Sequence, residues 1–100
     1  MAKPDVRMDF PKVQKMAKEF KNAASQINKS MGDMKKVAKM MEDGGLQGEA
    51  GSAFVAAIRS SLIPAMTKLE QKCTELNKDI KAAEQATRKG ESTARSRFMN

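Results

Sequence analysis

A chain of 100 residues has room for one domain, and its 40% hydrophobic content includes only 4 Phe and no Trp or Tyr. Such a composition predicts a thin core of Ala, Met, Leu, Ile and Val, suited to helix-on-helix contact rather than to a β-sandwich. With no His and one Cys, zinc sites, His-based triads and disulfide frameworks lack their residues, so neither an enzyme nor a cofactor, metal or small-molecule substrate is expected.

The first residues, Met1-Ala2-Lys3-Pro4-Asp5, lead into no apolar signal-peptide core. No run approaches the roughly 18 apolar residues of a membrane span. The expectation is a protein that starts in the cytoplasm and, if exported, leaves without a cleaved signal peptide.

Residues 1–8 read as an N-terminal extension. Helical patterning opens at Asp9-Phe10-Pro11, where an Asp N-cap and a Pro in the first turn waste no intrahelical donor. Val13, Phe20, Ile27, Met34 and Met41 then recur every seven residues, beside a second column of Phe10, Ala17, Ala24, Met31 and Ala38. Met16, Ala23 and Val37 add a third, which makes the apolar stripe wider than a two-stranded seam requires. A helix from Pro11 to Glu42 would be about 48 Å long.

Four of the six glycines fall between Gly44 and Gly51, and the bend is placed at residues 43–48. Gly44 or Gly45 is expected to supply the left-handed residue that ends the first helix, and Glu49 suits the positive end of the next. The second arm carries Val55, Leu62, Leu69, Leu76 and Ala83 in one column and Met66, Cys73 and Ile80 in a neighbouring one. Pro64 predicts a kink or short break near residues 60–63, because it removes a hydrogen bond to the Ser60 carbonyl. From Gly90 to Asn100 no apolar stripe is sustained, and the segment reads as a flexible basic tail.

Two arms of similar length joined by a glycine turn pack antiparallel. The fold class is therefore all-α, a two-helix hairpin over residues 9–89 that dimerises into a four-helix bundle. If Val13, Phe20, Ile27 and Met34 face Leu62, Leu69, Leu76 and Ile80 inside the hairpin, then Met16, Ala23, Val37, Met66 and Cys73 are left for a second molecule. Cys73, between Met66 and Ile80, is expected to be a buried and unreactive thiol.

The formal net charge of +7 invites a nucleic-acid reading. Ten basic and seven acidic residues in positions 1–50 (+3), against nine and five in positions 51–100 (+4), argue instead for a spread and solvated charge. Nucleic acid is not the expected partner. The tail, with Arg88, Lys89, Arg95 and Arg97 against Glu91 alone, is the exception.

The order Leu46-x-Gly48-x-Ala50-Gly51-x-Ala53-Phe54 resembles the turn of the WXG family, the early-secreted-antigen-like helical hairpins of type VII (ESX) secretion. Leu46 stands where that family has its Trp, Gly48 where it has its Gly, and Phe54 at the following apolar anchor. A second point of likeness is Thr87-Arg88-Lys89-Gly90-Glu91, at the place of the family's Tyr-x-x-x-Asp/Glu export signal, with Glu91 supplying the carboxylate and Thr87 replacing the tyrosine. The resemblance spans about Asp9 to Glu91. It implies a small protein secreted by, or escorting another substrate of, a type VII system. Its implied partners are a second copy or a WXG-like companion, together with a secretion ATPase or co-secreted protein. An adaptor or chaperone that docks a helix of a larger toxin is the rival reading of the same apolar face.

Overall fold

The computed structural model describes residues 8–45 and 48–99. α1 runs from Phe10 to Met40. Its start is set as the sequence predicts: the Asp9 carboxylate accepts a hydrogen bond from the Lys12 backbone N–H at 3.2 Å, and Pro11 occupies the first turn. That single cap satisfies one of the donors that a helix leaves orphaned at its N-terminus.

A π-type turn over Met41–Gly45 follows, within which Gly44 takes φ 107° and leaves the helical region. Gly48 then adopts φ 97°, ψ −173° ahead of α2, Glu49–Ala57. Both angles lie where a side chain is strained and glycine is not. Leu46 and Gln47 lie outside the described residues.

The second arm is one rod. α2 passes through a π-type turn at Ile58–Leu62 into α3, Ile63–Met99. Pro64 was expected to kink or briefly break the helix near residues 60–63, and the irregularity there takes the form of a widened turn. The Ile63 N–H reaches five residues back, to the Ile58 carbonyl, so the missing proline donor and the bulk of its ring are absorbed by one loosened turn. At about 1.5 Å per residue the arm from Glu49 to Met99 is about 76 Å long, which matches the longest dimension of the molecule, 76 × 26 × 16 Å.

Residues 90–99 correct the expectation of a flexible tail, for they continue α3 without a break. Ala94, Arg95, Arg97 and Glu91 are good helix formers, and a single interior Gly90 costs only about 1 kcal/mol. Since Phe10 at the start of α1 lies beside Arg88, the last turns of α3 project past the hairpin. Residues 88–97 are all exposed.

α1 packs antiparallel on α3 in a register fixed by four contacts. Arg88 lies over Phe10, Gln14 reaches Glu84, Asn77 reaches the Ala17 carbonyl, and Thr67 meets Met31. The most buried column of α1 is Ala17, Ala24, Met31 and Ala38, with Ala38 fully enclosed. Small side chains let the two backbones approach closely, and this choice of seam corrects the pairing expected from the sequence. Val13, Phe20, Ile27 and Met34 are half-buried at its edge, while Leu62 and Leu69 are turned outward. Cys73, expected to be left for a second molecule, is instead enclosed within the hairpin at 8% exposure.

Candidate functional site

The contacts of the register also sort the flanks of the hairpin. Gln14, Thr67 and Arg88 all reach across on one side of the seam. In heptad terms they belong to the rows that continue as Lys21, Asn28 and Lys35 on α1 and as Thr74 and Lys81 on α3. Residues on the opposite edge of each helix therefore share the other side, and those are Met16, Ala23 and Val37 with Leu62, Leu69 and Leu76.

That second side is the apolar one. Met16 is 51% exposed, Leu62 42% and Leu69 55%. The half-buried Val13, Phe20, Ile27 and Met34 border it, and Leu76 adds a further half-buried leucine. Met66 and Ile80 lie deeper and are likewise half-buried. Near the tip the face continues into a shallow cleft of about 180 Å³ lined by Phe54, Ala57, Ile58 and Leu62. Phe54, expected as an anchor of the bend, is itself 52% exposed. Leu62 and Leu69, seven residues apart, thus leave an apolar strip in water beside the half-buried Leu76.

The bend is held by the ion pair of Glu42 with Arg59, which ties the end of α1 to the second arm. Behind it Gly44, Gly48 and Gly51 open a cleft of about 590 Å³ with Met41 and Val55 on its walls. Leu46, expected at the family's tryptophan position, lies outside the described residues.

The open end carries a polar latch that sequence reasoning missed. Glu84 is buried against α1. Its carboxylate accepts from Gln14 Nε2 at 2.8 Å and from Arg88 Nε at 3.1 Å, while the Arg88 guanidinium stacks on Phe10. The hydrogen bond from Gln14 holds the Glu84 carboxyl below the usual carboxylate range; the Arg88 bond and charge and the Lys81 charge add to this, and burial works against it. A glutamate in the inner column of α3 was the available signal, since a charge there needs a partner.

Thr87 and Glu91 are one turn apart on α3, inside a helix that runs on to Met99. The Thr87 hydroxyl donates to the Ala83 carbonyl at 2.9 Å, and Glu91 is exposed on the projecting turns.

No helix among the described residues is long and apolar enough to cross a membrane. No curated protein and no solved structure matches the chain. The family model described as WXG100, proteins of 100 residues with WXG, matches residues 5–92. Hairpin, glycine bend and family match agree, and the chain belongs to the WXG100 family of small helical proteins of type VII secretion.

Proposed function

We propose that this chain acts by protein-protein recognition, either as a type VII substrate or as the companion that carries another substrate out. Its apolar flank is the interface with a second hairpin, which completes a four-helix bundle. The observation that carries this reading is the solvent exposure of Leu62 and Leu69 in a hairpin whose own seam is already closed around Ala17, Ala24, Met31, Ala38 and Cys73. A homodimer is the simplest closure; a chain that folds only beside a co-expressed WXG-like partner would make it a heterodimer. The end of α3, with Thr87 half-buried beside the start of α1 and Glu91 on the projecting turns, is the address read by the secretion ATPase.

The test is export of a tagged copy from cells with an active type VII system. Four chains are compared: intact, ending at Ala86, Glu91→Ala and Thr87→Tyr. Loss of export on truncation with the dimer preserved supports an address on the projecting helix, and a gain with Thr87→Tyr supports the motif position. Retention of all four inside the cell, even with candidate partners supplied, favours the adaptor reading instead.

A further inference from the structure

The flank opposite the apolar one has a property that counting charges by halves of the chain conceals. Going round α1 outward from Gln14, the three successive rows hold Lys15, Lys18, Lys21, Lys29, Lys35, Lys36 and Lys39, and no carboxylate. Glu19 and Asp33 both fall on the next row, toward Met16. On α3 the two adjoining rows add Lys78, Lys81, Arg88 and, on the projecting turns, Arg95, again without an acid until Glu75 beyond them. All eleven cations are exposed, Arg88 while paired with Glu84. From Lys15 to Lys39 this face is about 36 Å long.

We propose that this face adsorbs the chain to an anionic lipid bilayer surface, a binding activity that goes beyond the dimer reading and does not depend on it. Three observations select this occupant. The face is made by two helices side by side, each about 10 Å across, so it is too wide for the major groove of about 12 Å and meets a convex duplex only where the two cross. A flat surface, in contrast, runs along both helices at once, and the long lysine stems on the outer row of α1 can bend toward it. Second, nine of the eleven cations are Lys, point charges on flexible stems without the fork that selects a fixed carboxylate or phosphate geometry. A fluid bilayer offers headgroups wherever those stems reach. Third, no aromatic side chain stands among them to stack on bases; Phe10 lies beneath Arg88.

Adsorption of this kind is electrostatic, with each lysine near an anionic leaflet worth about 1 kcal/mol. It lays the rod flat, leaving the apolar flank free for its partner hairpin.

The test is sedimentation of the full chain with large vesicles of phosphatidylcholine alone or with phosphatidylglycerol, in parallel with a fluorescent DNA duplex at the same salt. Two charge-reversed variants are compared, Lys29→Glu with Lys36→Glu on the face, and Lys12→Glu with Lys72→Glu off it. Each pair lowers the formal net charge by the same four units, and circular dichroism confirms that both keep their helices. The expected result is binding to anionic vesicles only, lost in high salt, with partitioning reduced at least about tenfold by the on-face pair and about twofold or less by the other. Equal losses in both pairs would reduce the effect to net charge and overturn the proposal. So would a chain that ignores the vesicles, or one that binds the duplex more tightly. None of these outcomes bears on dimer mass, so the two readings fail separately.

Discussion

Arg88 lies over the ring of Phe10, 4.0 Å from guanidinium carbon to ring centroid, and with the same guanidinium holds the carboxylate of Glu84. This pair closes the open end of the hairpin, just where α3 begins to run on alone. Arg88→Ala is expected to lower stability by about 0.5–1 kcal/mol through the lost cation–π contact. Chemical denaturation followed by circular dichroism measures it, and Arg88→Lys should recover only part, since an ammonium cannot both stack and donate in the same geometry.

The latch also sets a pH dependence. Because the folded-state carboxyl of Glu84 is held below its ordinary 4.5, its contribution is fully present above that value and drains away as pH falls through the depressed folded value. The stability gap between the intact chain and Glu84→Gln should stay constant above 4.5 and shrink below it. A gap that widened on acidification would mean that the protonated form is the one the fold prefers.

The glycines of the bend and of the helices should behave oppositely. Nothing stands within 4 Å of a side chain built at Gly48, yet its φ of 97° is hostile to one. Gly48→Val is therefore expected to destabilise the hairpin by more than about 1 kcal/mol from backbone strain alone. At Gly32, helical and equally open, Gly32→Ala should stabilise by about 0.4–1 kcal/mol. Thermal melts of the two variants decide the point.

Cys73, inside the seam, should resist a thiol reagent in the folded chain and react freely once the hairpin is unfolded in denaturant. Rapid labelling under native conditions would mean that the two arms part easily. Widening the seam has a larger effect: Ala38→Leu, at a position with no exposed surface, is expected to cost about 1–3 kcal/mol by overpacking.

The hairpin was legible in the sequence because its signals are local. The Asp9 cap, the seven-residue spacing from Val13 to Met41 and the run of glycines each act within one or two turns. The choice of seam was less legible, since it turns on which of two adjacent columns faces inward. The alanines at 17, 24 and 38 win because they allow close approach, a property of both helices together, and Leu62 and Leu69 are turned outward as a result. The lysine face was hidden for the same reason: only once Gln14, Thr67 and Arg88 fix which edges of the helices meet can charges be assigned to sides. The helical end of α3 was misread from its lack of an apolar stripe, which decides packing rather than helix formation.

The central claim, that the apolar flank is an interface with a second hairpin, is tested most directly by light scattering on the purified chain at micromolar concentration. The account predicts a mass twice that of the 11.0 kDa chain. Leu69→Asp on the apolar flank should abolish that dimer, whereas Thr74→Asp on the opposite flank should leave it intact. A well-folded, fully helical monomer of the unaltered chain would contradict it.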